Sequence, residues 1–299
     1  MRHPVLDNAP FAPMTPAQAE EFMPLIRRAL AEDAVDKDVT TLATIGERAR
    51  VHADVRLRSA GVVAGLQIGG LAMKLVDERI VVEILANDGT RVDARTAVMR
   101  LDGPARGILS AERVALNFIG RLSGIATFTA RFVDAVRGLP VRIADTRKTT
   151  PGMRALERYA VRAGGGFNHR FDLASAVLIK DNHLAAGLTT DQAVLLARSI
   201  AAAGTIIEVE CEDLAAVSQA VEAGADAVLL DNMPLEQMGE AVRIARGAAV
   251  IEASGGVTLE NVRDVAATGV EIISTGALTH DAPWLDVGVD FAEVPERAR

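Results

Sequence analysis

Residues 145–183 read DTRKTTPGMRALERYAVRAGGGFNHRFDLASAVLIKDNH, and between Arg142 and Lys180 eight Lys or Arg stand against three acids. The chain as a whole carries a formal net charge of -8. A positive pocket in an acidic protein suits a small, highly anionic ligand, whereas a nucleic-acid partner more often leaves a basic face on a basic domain. Arg147, Lys148, His169, Arg170 and Lys180 are the candidate grips, and arginine holds carboxylates through two parallel N–H donors. The run Gly164-Gly165-Gly166-Phe167-Asn168 before His169 reads as a binding loop or as a flexible turn. Further on, Glu210 and Asp231 are acids suited to Mg²⁺ or to sugar hydroxyls beside a phosphorylated ligand. They could also neutralise Lys148 or Lys180 as ion pairs, and the two roles are compatible. Ser254-Gly255-Gly256 and Thr275-Gly276 offer bare backbone N–H groups, which favour phosphate where a Cβ would hold it off.

These residues must be brought together by the elements between them. After Pro140 apolar strands are legible at 141–146, 176–180, 206–210, 227–231, 250–254 and 271–275, with helices near 190–203, 214–223, 235–246 and 259–268. Almost wholly apolar strands alternating with helices mark a buried parallel sheet. Strand ends recur every 21 to 23 residues from Glu210 onward, which suits an α/β barrel with fewer than eight strands. Each strand ends in polar residues, and in parallel barrels those ends converge on one mouth. No GxGxxG follows a strand, which argues against dinucleotide binding.

The first half differs. Residues 16–32 read as one helix with Thr15 as N-cap and Pro16 at its first position. Runs at 51–57, 61–66, 79–85 and 96–101 alternate with turn signals such as Asn87-Asp88-Gly89, predicting a small antiparallel sheet with a helix at 70–76. Residues 111–136 predict a long helix capped by Ser110, interrupted in pattern by Gly120 and Gly124.

Composition bounds the rest. The 299 residues are 49% hydrophobic and 24% charged, ordinary for a soluble globular protein. Aromatic residues at 3% leave little for base stacking. The single cysteine, Cys211, excludes an intrachain disulfide and fits a reducing compartment; it lies in an apolar run and reads as a packing thiol. With no run of 18 apolar residues and no apolar leader at the start, the expectation is a cytoplasmic protein without a membrane or nucleic-acid partner.

The strings DTRKTTPGMR (145–154), GGGFNHR (164–170), VLIKDNH (177–183), LLDNM (229–233), EASGG (252–256) and STGALTH (274–280), with ERVALNFIGRLSGIAT (112–127) upstream, closely resemble the quinolinate phosphoribosyltransferase family. The resemblance runs from about Glu32 to Phe291. It implies the type II phosphoribosyltransferase architecture: a small α/β sandwich over residues 1–118, an incomplete α/β barrel over 119–276, and a segment 277–299 packing back toward the N-terminal domain. It implies conversion of quinolinate and phosphoribosyl pyrophosphate to nicotinate mononucleotide, pyrophosphate and CO₂, with Mg²⁺, in de novo NAD synthesis. Homodimers with shared active sites are implied, or a hexamer of such dimers. By motif, Arg147, His169, Arg170 and Lys180 would grip the quinolinate carboxylates, with Arg113 reaching over from the partner subunit. Lys148 would stand near the pyrophosphate and ring, and Glu210 and Asp231 would hold ribose hydroxyls and Mg²⁺. Ser254, Gly255 and Gly276, with Gly256 and His280 nearby, would bind the 5′-phosphate; Lys148, Lys180, Glu210 and Asp231 form the catalytic set.

Two positions depart from the family pattern. Gly120 stands where a larger polar residue, often Gln, is expected, which predicts a helix loosened by about 1 kcal/mol. Ser175 stands where an acid is common, which predicts altered electrostatics near Lys180. Three rivals remain: a related transferase for another acid, a molybdenum-locus paralogue, and a silent binding protein. So many cations favour a diacid over nicotinate; the intact TRKT and NHR strings disfavour the paralogue. A silent protein would tend to lose Lys148, Glu210 or Asp231, and all three are present.

Overall fold

The computed structural model describes residues 10–291. They form two compact units, one of residues 11–128, 155–165 and 282–291, the other of 129–154 and 166–281.

In the first unit, the predicted helix at 16–32 is two helices, α1 (Pro16–Glu20) and α2 (Met23–Glu32). Thr15 caps α1 through a capping box with Gln18. The break falls where Pro24 lacks an N–H and its ring would crowd the carbonyl four residues back. The short α3 (Val39–Thr44) is capped by Asp38, which accepts the Thr41 N–H. Then come β1 (Arg50–Leu57), β2 (Gly61–Val62), α4 (Leu66–Val76), β3 (Val81–Ile84), β4 (Arg91–Val92) and β5 (Ala97–Pro104). The antiparallel sheet runs β12-β1-β5-β3, where β12 (Val287–Phe291) is supplied by the end of the described chain. Half-buried alternation along β1 gives the sheet one packed face. The predicted strand at 61–66 stops at Val62. Asp88 accepts the Gly65 and Leu66 N–H groups at 2.8 and 3.2 Å, and Gly65 turns the chain at φ +86°, so Leu66 opens a helix instead.

A single helix, α5 (Ala105–Ala135), follows without interruption. Ser110 is therefore not its cap but lies within it, donating its hydroxyl to Asp38 Oδ2 at 2.9 Å. Gly120 and Gly124 serve close approach instead of bending the rod. A Cβ on Gly124 would lie 2.2 Å from the Pro283 carbonyl oxygen and one on Gly120 3.0 Å from that of Leu285. The Leu285 N–H donates to the Gly120 carbonyl at 3.0 Å.

The second unit holds β6 (Arg142–Ala144), β7 (Val177–Ile179), α7 (Asp181–Leu184), α8 (Thr190–Ile200), β8 (Ile207–Cys211), α9 (Leu214–Glu222), β9 (Ala227–Asp231), α10 (Leu235–Ala245), β10 (Val250–Ser254), α11 (Val262–Ala267), β11 (Ile272–Ser274) and α12 (Ala277–His280); α6 (Arg154–Ala163) lies between β6 and β7 in the chain. The six strands are all parallel and ordered β6-β11-β10-β9-β8-β7. The first strand thus pairs with the last, leaving β6 and β7 as the two edges of an incomplete barrel. Phe167, in the glycine-rich loop, forms a parallel bridge to Ala144 of β6. Its N–H donates to Ile143 and its carbonyl accepts from Asp145, so this loop occupies the β6 edge.

Candidate active site

The barrel strands end at a cleft of about 810 Å³, within the range of small-molecule sites. Arg147, Lys148, His169, Arg170, Lys180, Glu210, Asp231, Ser254, Gly255, Gly256, Gly276 and His280 all line it. Arg113 does not; it is an exposed residue of α5.

Two guanidiniums share one side of the cleft. Arg170 is buried and donates Nη1–H to the Ala176 carbonyl at 3.0 Å. Burial and the neighbouring Arg147 hold its pKa below the ordinary guanidinium value. Arg147 carries a buried Nε with no hydrogen-bond partner among the described residues. Like charges brought this close, one with an unsatisfied buried donor, call for an anion between them. Lys180 follows β7 and pairs with Glu210 of β8, so part of the ion-pair reading of Glu210 holds.

The phosphate-suited residues owe their glycines to two different needs. Gly255 and Gly256, both at the cleft, have φ +88° and +62°, left-handed values that glycine adopts without strain and that leave the backbone bare for a phosphate. A Cβ on Gly255 would also fall 2.3 Å from Asn232 Oδ1. Gly276 has an ordinary φ of -67°, but its Cβ would lie 2.8 Å from Lys148 Cδ and 2.9 Å from His280 Nε2. No helix begins directly after Gly256: α11 starts at Val262. The cradle at Ser254–Gly256 therefore rests on the glycine conformations and not on a helix terminus. Lys148 is fixed at its backbone, its N–H donating to Thr146 Oγ1 at 3.1 Å and its carbonyl accepting from Thr279 Oγ1 at 2.6 Å.

Asp231 and Asn232 do not cap α10, whose N-cap is Pro234 with no side-chain bond. Asn232 adopts φ +54°, and its Nδ2–H donates to Asp231 Oδ1 at 3.1 Å. Ser175 closes a turn on Asp172, donating Oγ–H to Oδ1 at 2.6 Å. An acid thus remains three residues before it.

At the wall of the cleft His169 joins a buried cluster whose acids, Glu208 and Glu252, the sequence reading did not pick out. Glu208 and Glu252 are 2% and 0% exposed, and each places Oε2 near His169 Nε2, at 3.2 and 3.3 Å. Ser274 Oγ–H donates to Glu252 Oε1 at 2.5 Å. His169 Nδ1 accepts the Arg170 N–H at 2.9 Å. Burial opposes a charged ring, but Glu252 and Glu208 outweigh it and push the His169 pKa up to about 11. A second ring proton would sit on Nδ1 and point at the Arg170 N–H. That contact works against it, and the geometry suits the neutral Nε2–H ring, whose Nδ1 accepts the Arg170 N–H. The ligand atoms of His169, Glu208 and Glu252 lie within 4.8 Å of one another, but an ion on Nε2 would move the ring proton to Nδ1, against the Arg170 N–H. The signal was available in the sequence: Glu208 and Glu252 stand two residues before Glu210 and Ser254, hence on the same inward face of their strands.

An α/β barrel whose strand ends gather guanidiniums, acids and a glycine cradle belongs to the class that binds phosphorylated, carboxylated small molecules. The particular family is given by comparison. Residues 38–123 match the N-terminal domain and 125–290 the C-terminal domain of quinolinate phosphoribosyl transferase. The chain is 41% identical over 266 residues to a probable nicotinate-nucleotide pyrophosphorylase [carboxylating] of Bacillus subtilis, spanning 89% of this chain and 92% of that one. It is 41% identical over 275 residues to a nicotinate-nucleotide pyrophosphorylase [carboxylating] of Mycobacterium leprae, spanning 89% and 95%. The solved nicotinate-nucleotide pyrophosphorylase from Francisella tularensis superposes with a TM-score of 0.89 at 35% identity, over 96% of this chain and all of that one. The chain belongs to the quinolinate phosphoribosyl transferase family. Among the described residues no helix is long and apolar enough to cross a membrane.

Proposed function

We propose that the protein transfers the phosphoribosyl group of phosphoribosyl pyrophosphate to the ring nitrogen of quinolinate, with loss of pyrophosphate and CO₂, giving nicotinate mononucleotide for NAD synthesis. The observation that carries this is one cleft uniting a paired-guanidinium grip, a left-handed glycine cradle and two strand-end acids, in a chain so similar to the pyrophosphorylases named above.

Arg147, Arg170 and Lys180 orient the two carboxylates so that the ring nitrogen faces the ribose C1′; His169, which the resemblance groups with them, turns its ring nitrogens to Glu208, Glu252 and the Arg170 N–H and serves the grip through Arg170. Ser254, Gly255, Gly256, Gly276 and His280 take the 5′-phosphate. As the C1′–O bond to pyrophosphate breaks, positive charge grows on the ribose and negative charge on the leaving group, which Lys148 neutralises. Alkylation makes the ring a pyridinium. The electrons of the C2–carboxylate bond then flow into it, CO₂ leaves and C2 takes a proton. The protein's share is chiefly orientation and exclusion of water. Glu210 and Asp231 are hard oxygen donors on adjacent strands at the cleft, a donor set that fits Mg²⁺, which would stabilise the charge of the pyrophosphate. Glu210 would exchange its lysine pairing for this role. The working unit is a homodimer in which Arg113, exposed on α5, completes the partner's site, and the compartment is the cytoplasm.

The test is release of labelled CO₂ from the 2-carboxylate of quinolinate, with phosphoribosyl pyrophosphate and Mg²⁺, against a nicotinate control. Release requiring donor and metal is expected; no release would overturn the reading.

A further inference from the structure

The loop carrying Asn168, His169 and Arg170 has no regular secondary structure, yet it must hold the buried Arg170 of the carboxylate grip. It is pinned by acids of the barrel interior. Asp145 accepts the Asn168 Nδ2–H at 2.5 Å and the His169 N–H at 2.8 Å. Glu208 of β8 and Glu252 of β10 face His169 Nε2, and Ser274 of β11 fixes Glu252. On its other side the imidazole accepts the Arg170 N–H. A line of contacts thus runs from the centre of the barrel through one ring to the backbone of a substrate-gripping arginine. A buried acid pair is costly to keep, and neither Glu208 nor Glu252 has a part in the chemistry above.

We propose that Glu252 and Glu208 are positioning residues for the diacid: they hold His169 in the Nε2–H tautomer, which leaves Nδ1 to anchor Arg170 beside Arg147. The inference rests on the function proposed above. With both acids directed at one nitrogen, the ring proton stays on Nε2. An imidazole protonated on Nδ1 instead would repel the Arg170 N–H and let the guanidinium drift from the grip. Their effect is therefore on one substrate: the cradle at Ser254–Gly256 lies on residues that none of these bonds touches.

The test compares Glu252→Gln and Glu208→Gln with the unaltered chain. A carboxamide keeps the volume and can still take the Ser274 hydroxyl, but it offers Nε2 a weaker acceptor or a donor. The KM for quinolinate, or its Kd measured by calorimetry without donor, should rise about tenfold, as for one hydrogen bond of a buried network. The KM for phosphoribosyl pyrophosphate should stay within about twofold. Equal losses for both substrates, or none for quinolinate, would overturn the proposal. The second measurement needs no variant. In the unaltered chain, ¹⁵N shifts of His169 should show a protonated Nε2 and a proton-free Nδ1, and a proton on Nδ1 would overturn it even if neither variant folds. Failure of the unaltered protein to release CO₂ would instead count against the proposed function, since the tautomer is read without turnover.

Discussion

Replacing Gly255 by alanine perturbs the phosphate cradle in two separable ways. At φ +88° a residue with a Cβ is strained by about 1–2 kcal/mol. The new methyl would also sit 2.3 Å from Asn232 Oδ1, so Asn232 must withdraw by about 1 Å to restore ordinary contact. Withdrawal gives up its 3.1 Å bond to Asp231, worth about 1 kcal/mol. If the loop relaxes in the free protein and must return to bind phosphate, the sum of about 2–3 kcal/mol falls on donor affinity, roughly 30- to 150-fold. Steady-state kinetics with each substrate varied in turn should show the KM for phosphoribosyl pyrophosphate rising by that factor and the KM for quinolinate nearly unchanged. Gly256→Ala is the internal comparison. Its Cβ would be 3.7 Å from the same oxygen, so strain at φ +62° acts alone and the loss should be several-fold smaller. Gly239→Ala, with nothing within 4 Å and an ordinary helical setting, should leave both constants alone. A Gly255→Ala protein with normal donor KM would refute the cradle.

Asp88→Ala removes the acceptor of the Gly65 and Leu66 N–H groups and of the Tyr159 hydroxyl, and urea unfolding should show a loss of about 2–4 kcal/mol. Burial raises the pKa of Asp88, so its proton is bound more tightly in the folded state; its contribution is full below the unfolded pKa and is lost as pH rises through the folded one. Asp88→Asn should remove that part of the stability–pH slope. Glu157→Ala takes from the mostly buried Arg121 the carboxylate it pairs with at 2.8 Å and should cost about 3–5 kcal/mol in the same assay, while a double replacement by apolar residues recovers much of it. Lys148→Ala and Glu210→Ala should each abolish CO₂ release with an unchanged circular dichroism spectrum, and chelation by EDTA should do the same reversibly. Mixing Arg113→Ala with Lys148→Ala subunits should restore activity, because one shared site in the mixed dimer would be intact; no recovery would count against a site completed in trans.

The sequence alone determined the strand–helix alternation and the set of residues at the strand ends. Apolar strands buried on both faces advertise themselves over short stretches, and a strand's own residues say which of them sits at its end. It also carried the family, through strings of local residues. Tertiary structure decided what depended on distant partners. Residues 61–66 read as one strand, but Asp88 supplies the acceptors that start a helix at Leu66. Gly120 and Gly124 read as weak points, yet they admit the backbone of residues 283–285 against an unbroken α5. Ser110 has the chemistry of a cap, but the helix begins five residues earlier. The pairing of β6 with β11 could not be read locally, since each strand encodes its faces and not its neighbours. Glu208 and Glu252 were visible as letters, but their meeting on one nitrogen of His169 is a property of three separate chain segments, created only when the barrel folds.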